Sequence, residues 1–253
     1  MTMKRNGFAP SVNPDLATIG ALVGEPARAA MLLALFDNTA LPASELAYRG
    51  GASPQAASAH LRRLVEGGLL AVTASGRQRL YRLATRDVAR AIETLLAIAA
   101  PPRVVALGQS VRLQRLRDAR VCYDHLAGRL GVALTDTLVS RGALRASGPE
   151  FGVTPIGERF FGRLGIDVDA LRQRRRTMAR PCIDWTERRS HLAGSLGMAL
   201  CNCLLVNRWI VRHATDRSVR LTDGGRRALA RLFGVAAPTA AATASAPPAV
   251  GAG

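Results

Sequence analysis

Ten letters occur almost unchanged at two places in this chain. HLAGRLGVAL fills 125–134 and HLAGSLGMAL fills 191–200. An internal repeat narrows the possible folds more than composition does, because both copies must take the same local structure and find equivalent surfaces to pack on. The likeness runs past the ten residues. HLAGRLGVALTDTLVSRGAL aligns with HLAGSLGMALCNCLLVNRWI, and GVTPIGERFFGRLGI with RLTDGGRRALARLFGV, at an offset of about 66 residues. The pattern predicts in each unit a helix, a short extended stretch, and T-x-x-G opening a second helix. The units are assigned to 125–166 and 191–235. An arginine-rich insert, DVDALRQRRRTMARPCIDWTERRS, separates them.

Gly128, Gly131, Gly194 and Gly197 stand at matched positions. Each costs a helix about 1 kcal/mol relative to Ala. Two arrangements offset that cost. One is close packing of helix on helix. In the other, His125 and His191 face a shared cavity beside the insert that carries Cys182 and Trp185. On the second reading the effector residues are Cys122, His125, Cys182, Trp185, His191, Cys201 and Cys203. Cys201 and Cys203 diverge by about 200° on a helix, so they do not readily hold one metal ion together. Cys182 sits among arginines in ARPCIDWTERR, and a neighbouring cation favours thiolate, so it is the candidate reactive cysteine.

Four cysteines in 253 residues do not make a disulfide scaffold, and they fit a reducing cytoplasm. No apolar run approaches the ~18 residues of a membrane span. The net charge of +17 favours a polyanionic partner, nucleic acid first. The charge is unevenly placed: residues 1–100 carry +4 and residues 101–253 carry +13. Charge alone would therefore put a nucleic-acid contact in the second half.

Motif points to the first half. PDLATIGALV, GEPARAAMLLALFD and LPASELAYRGG read as helices, the second opened by Pro26 and the third closed by Gly50–Gly51. In ASPQAASAHLRRLVEGGLL, Ser53 reads as the N-cap and Pro54 as the first helical residue, with Ala57, Leu61 and Leu64 on one face. LLAVTASGRQRLYRL has two extended runs about a turn, the outline of a hairpin. TRDVARAIETLLAIAA is a further amphipathic helix. This is the order of a winged helix-turn-helix. A helix fits the major groove, and a basic wing lies along phosphates. The candidate DNA-binding residues are Ser53, Gln55, Ala56, Ser58, His60, Arg62, Arg63, Arg77 and Arg79. Gln55 has the donor and acceptor that read adenine, and the arginines suit the backbone.

The segment from ASELAYRGG to YRL resembles the ArsR/SmtB winged-helix repressors. The S-x-H-L-x-x-L core stands as Ser58, His60, Leu61 and Leu64, followed by Glu66, Gly68 and Leu69. The resemblance covers roughly residues 15–100. It implies a homodimeric repressor of double-stranded operator DNA, released by an inducer. Metal-sensing relatives carry a cysteine pair in the third helix or a His/Asp set on the last helix. Here those helices hold no Cys and no His, so no metal site or cofactor is expected from the family.

No phosphate-cradling glycine loop or nucleophile elbow is present, so an enzyme is not expected. The expected fold is mainly α with small β-wings: a flexible N-terminus (1–14), a winged-helix DNA-binding domain (15–100), a linker helix (101–121), a sensor domain of two degenerate winged-helix-like units (122–235), and a disordered tail (236–253). The expected function is a cytoplasmic, DNA-binding transcriptional repressor with an effector bound in its C-terminal domain and no membrane partner. The alternatives are a thiol redox switch using Cys182 and a sequence-tolerant basic nucleoid-type protein.

Overall fold

A computed structural model describes residues 15–37, 39–100 and 106–234. The expected flexible N-terminus, the start of the linker and the expected disordered tail lie outside them. The chain divides into two compact units, 1–90 and 91–253. The boundary falls inside a helix, earlier than the sequence suggests.

The first unit opens with α1 (Leu16–Val23), capped by Asp15, whose carboxylate accepts from the Thr18 amide at 3.0 Å. The second helix, α2 (Pro26–Ala34), is capped by Glu25, which accepts from two amides of the first turn. A short strand β1 (Leu41–Pro42) leads to α3 (Ala43–Gly50). Gly51 then turns the chain at φ 61°, a left-handed conformation that glycine adopts without a Cβ penalty. The next helix, α4 (Pro54–Glu66), has Ser53 as its N-cap and Pro54 in its first turn, as the sequence predicts. Its Ala57, Leu61 and Leu64 are buried with Met31, Leu32, Leu35, Phe36 and Leu46. Strands β2 (Leu70–Ser75) and β3 (Gln78–Leu83) pair as an antiparallel hairpin, and β1 joins the outer side of β3. The expected winged helix-turn-helix is therefore present. Helix α5 (Arg86–Ile98) follows the wing and crosses the division between the units.

The second unit begins with the last part of α5 and with α6 (Leu107–Asp118). Two runs of the same element order follow. The first is β4 (Arg120–Cys122), β5 (His125–Ala127), α7 (Gly128–Ser140), β6 (Leu144–Ser147), β7 (Glu150–Val153) and α8 (Pro155–Arg163). After the short α9 (Val168–Arg172), the second is β8 (Arg180–Ile183), β9 (Ser190–Ala193), α10 (Gly194–Val206), β10 (Ile210–Arg212), β11 (Val219–Leu221) and α11 (Asp223–Phe233). Each unit is hairpin, helix, hairpin, helix. The T-x-x-G motif acts alike in both. Thr154 and Thr222 cap the final helix by accepting from the amides of Gly157 and Gly225.

Two expectations are corrected here. The fold is mixed helix and sheet rather than mainly α, because hairpins of three or four residues are too short to show alternation in sequence. The repeated HLA is strand, and the helix starts only at the following glycine. Gly128 and Gly194 make that switch at φ 79° and 89°, where a Cβ would lie 2.7 Å from Arg117 O and 2.8 Å from Met178 O. One turn on, a Cβ at Gly131 would lie 2.5 Å from Leu126 O, and one at Gly197 2.4 Å from Leu192 O. The tightest demand is thus from each unit's own strand. The other copy comes next: the histidine Cβ atoms lie 3.6 Å (His191) and 3.3 Å (His125) from these positions. Helix α7 packs on β9 and α10 on β5, so each helix covers the other copy's histidine strand. The core between them is leucine-rich, with Leu126, Leu130, Leu134, Leu192, Leu196 and Leu200 at 4% exposure or less. Among the described residues no single helix is long and apolar enough to cross a membrane.

Candidate functional site

Two sets of residues carry chemistry, one in each unit. On α4, Gln55, Ser58, Ala59, Arg62 and Arg63 are exposed, opposite the buried leucines. Arg77 and Arg79 are exposed on the wing. Ser53 is exposed, and its hydroxyl accepts from the Ala56 amide at 3.3 Å. The Ser58 hydroxyl donates to Pro54 O at 2.9 Å. Two sequence candidates are placed differently. Ala56 is half-buried. His60 turns inward, with Nδ1 3.3 Å from Arg28 Nη1 and 3.7 Å from Glu25 Oε2. Arg28 is itself buried and donates to Ala21 O and Leu22 O. His60 therefore braces the helices of this unit instead of facing outward.

The second set lies wholly within residues 91–253. Glu93 of α5, Cys122 of β4, His125 of β5, Cys182 of β8 and His191 of β9 are all buried. One ligating atom from each lies within 4.8 Å of all the others. Strand register explains the arrangement. Cys122 is directly opposite His125 across β4–β5, and Cys182 is directly opposite His191 across β8–β9. Directly opposed residues of an antiparallel pair project from the same face. Each hairpin thus presents one thiol and one imidazole, and the two hairpins bring these pairs together. The imidazole rings stack with centroids 5.1 Å apart, and their Nε2 atoms are 3.2 Å apart.

Behind each imidazole stands a carboxylate. His125 Nδ1 is 3.2 Å from Asp124 Oδ1, and His191 Nδ1 faces Asp184 Oδ2 at 3.5 Å. Arg176 grips Asp124 with both terminal nitrogens, at 2.7 and 3.0 Å. Asp184 pairs with Arg120 at 2.9 Å, both side chains fully buried, and accepts from the Gly128 amide at 2.6 Å. At His125 the carboxylate on Nδ1 fixes the imidazole tautomer and turns the Nε2 lone pair toward the cluster, whereas the His191–Asp184 approach is electrostatic without a hydrogen bond. The two carboxylates come from different places, Asp124 from the residue before its histidine and Asp184 from the insert.

Charge follows from these contacts. Burial pushes the Glu93 carboxyl up to about 7, with Cys182 adding to the effect. Cys122 donates to Glu93, and burial holds its thiol well above the usual range. Cys182, 2.6 Å from Glu93 Oε2, is drawn far down by hydrogen bonding with Cys122, against burial, and then by His125 and His191. Burial pulls His125 down, but Asp124 and Cys182 outweigh it and bring it to about 9. Burial pushes His191 down. The two imidazoles are thus shifted in opposite directions, His125 up and His191 down.

Of the seven effector residues expected from sequence, Cys122, His125, Cys182 and His191 meet in this cluster. Cys201 is buried elsewhere on α10, its thiol pushed up to about 12 by burial. Cys203 is half-buried, 3.5 Å from Leu164 O. The Trp185 ring lies under the Arg120 guanidinium, 4.8 Å from its centroid. Cys182 is the cysteine drawn toward thiolate, and its partners are Cys122 and the histidines, where the sequence pointed to neighbouring arginines. Sequence reasoning missed Glu93, although a signal existed. Glu93 falls four residues after the buried Ala89 and one after Ile92, an acid on the apolar face of α5.

Residues 23–73 match a helix-turn-helix domain family. The cadmium metal-sensor CMTR from Mycobacterium tuberculosis is 31% identical over 36% of this chain and 99% of its own, with a TM-score of 0.29. HlyU from Vibrio cholerae is 26% identical over 31% of this chain and 85% of its own, with a TM-score of 0.29. A Bacillus subtilis (strain 168) protein, the HTH-type transcriptional regulator YdfF, is 44% identical over 224 residues, 88% of this chain and 99% of its own length. That likeness must run far past residue 90 and into the cluster-bearing unit. A relative so similar over nearly its whole length fixes the assignment: the chain belongs to the helix-turn-helix transcriptional regulators.

Proposed function

We propose that this regulator is a cytoplasmic, homodimeric repressor that binds operator DNA through α4 and the wing and leaves it when an effector occupies the buried cluster of the second unit. The observation that carries the reading is the convergence of Glu93, Cys122, His125, Cys182 and His191. Glu93 rides on α5, the helix that follows the wing strand in the chain. A change at the cluster thus has a direct path along the backbone to the DNA-binding unit. The two hairpin–helix–hairpin–helix runs are read as degenerate winged-helix-like units from one duplicated precursor, turned from DNA contact to sensing. The protein is read as a regulator and not an enzyme. A second reading, a thiol switch, is favoured by one observation: Cys122 and Cys182 share the cluster, so Cys182 has a partner thiol.

The test is DNA binding on an operator selected from random duplexes, against a scrambled duplex, across salt. Gln55→Ala and Ser58→Ala should each cost the operator about 1–3 kcal/mol and leave the scrambled duplex nearly unaffected. Arg77→Ala and Arg79→Ala should weaken both and flatten the salt dependence. Equal losses on all sequences from the α4 variants would support the sequence-tolerant alternative and overturn the proposed readout.

A further inference from the structure

The donor set in the second unit has a chemistry of its own. Two thiols, two imidazoles and a carboxylate are all buried, with ligating atoms no more than 4.8 Å apart. That spacing is compact enough for a single ion to reach every donor and too tight to admit a molecule. An ion bound tetrahedrally at ~2.0–2.3 Å from nitrogen and sulfur sets its donors ~3.3–3.8 Å apart. The Nε2 atoms of His125 and His191, at 3.2 Å, already stand close to that edge length. Both imidazoles face the centre through Nε2, with Asp124 and Asp184 on their far sides. This carboxylate–imidazole order is the one found behind metal-bound histidines. Without a cation, two lone pairs meet at this distance and one must take a proton. Two thiolates and the Glu93 carboxylate would supply three negative charges, with the Arg217 guanidinium beside Cys122 and Glu93 as a partial counterweight.

We infer that Cys122, His125, Cys182 and His191 form a closed tetrahedral site for one borderline divalent metal ion of the zinc(II) class, with Glu93 as a fifth, exchangeable donor from α5. Mixed sulfur and nitrogen donors select zinc-like ions over magnesium or calcium, which take oxygen ligands. The site is separate from the third-helix and last-helix positions where the family's metal sensors carry Cys and His, and it replaces the sequence expectation of no metal ligands. Two hairpins that each hold half a ligand set explain why both copies keep a histidine. As the effector of the repressor, the ion rests on the functional reading above, whereas its binding does not.

The experiment uses the full-length reduced protein with its metals removed, titrated with cobalt(II) and then zinc(II). One cobalt per chain should bind, with tetrahedral ligand-field bands and thiolate-to-cobalt charge transfer, and zinc should displace it. Cys122→Ser and Cys182→Ser should each lose more than about 100-fold in affinity and lose charge-transfer intensity, exceeding the ~10–100-fold expected for the outer variant Asp124→Asn. Cys201→Ser and Cys203→Ser should bind as the parent does. Circular dichroism verifies that each variant is folded. If Cys122→Ser misfolds, the parent spectrum and the Cys182→Ser and Cys201→Ser pair still decide the question. Octahedral cobalt bands without charge transfer, no binding, or loss of binding in Cys201→Ser would overturn the site. Operator affinity is measured on the same samples. Binding of the ion with unchanged operator affinity keeps the metal site and sinks the effector role. Operator release by another agent from a protein that binds no ion sinks the site alone.

Discussion

Replacing Asp184 by Asn should destabilise the second unit more than any other single-atom change in it. Asp184 and Arg120 form an ion pair at 2.9 Å with both side chains at 0% exposure. The Asp184 carboxylate also accepts from the Gly128 amide, the Thr186 hydroxyl and amide, and the Glu187 amide. Asn keeps the shape but removes the charge and turns one acceptor oxygen into a donor. Arg120 retains Leu116 O at 3.0 Å, Thr186 Oγ1 at 3.3 Å and the Trp185 face, none of which neutralises it. An arginine left buried without its counterion costs about 3–5 kcal/mol. A unit of this size shifts by ~2–4 °C per kcal/mol, so its melting temperature should fall by roughly 6–20 °C. The assay is thermal and urea unfolding of the full chain, following the transition of the second unit. The double variant Arg120→Met, Asp184→Asn should recover part of the loss, because it removes the unpaired cation while the Asn oxygen still accepts from the backbone amides. A loss below about 1 kcal/mol for Asp184→Asn, or a double variant as poor as the single, would show that the pair does not hold the insert against α7.

Two further outcomes follow from neighbouring geometry. Gly197→Ala should destabilise by about 1–3 kcal/mol, because its Cβ meets the Leu192 carbonyl at 2.4 Å, whereas Gly162→Ala, exposed on α8 with nothing within 4 Å, should stabilise by about 0.5–1 kcal/mol; a Gly197→Ala variant as stable as the parent in urea unfolding, or a Gly162→Ala variant less stable than it, would refute the steric account. For Asp216, burial raises the carboxyl, but Ser218, Arg115 and Arg112 outweigh it and lower it, so its contribution to stability is present above the ordinary value of 3.8 and is lost as pH falls through the lower folded value. Asp216→Asn should accordingly be less stable than the parent at neutral pH and converge on it in acid, as unfolding at several pH values can show.

The head was legible because its signals are local. Ser53, Pro54 and the glycine stops mark helix ends, and Ala57, Leu61 and Leu64 mark a face, so neighbours in sequence settle the structure. The second unit was legible as a repeat but not as a fold. HLA has no alternation to announce a strand, and three residues cannot supply one. The glycines were read as helix-contact residues, whereas two of them make the strand-to-helix switch and two clear their own strand's carbonyl. Four of the cluster's five members were named from the sequence, but their pairing by register and the acid on α5 were not. Cys122 and Cys182 lie at different distances from their histidines, three residues in one copy and nine in the other, because the hairpin loops differ in length. Aligning the letters from the histidine onward hides the cysteine that register places opposite it.

The same register explains why a duplication could create a site where neither copy had one. A single hairpin offers one thiol and one imidazole, too few donors to hold an ion and too costly to bury unpaired. Two hairpins face to face double the set and bury it in one step, with α7 and α10 each sealing the opposite copy. The fifth group did not come from the repeat. Glu93 comes from α5, where burial, with Cys182 adding to it, pushes its carboxyl up to about 7. The repeat therefore accounts for four of the five buried donors. The acid on α5 ties the cluster to the helix that follows the wing in the chain.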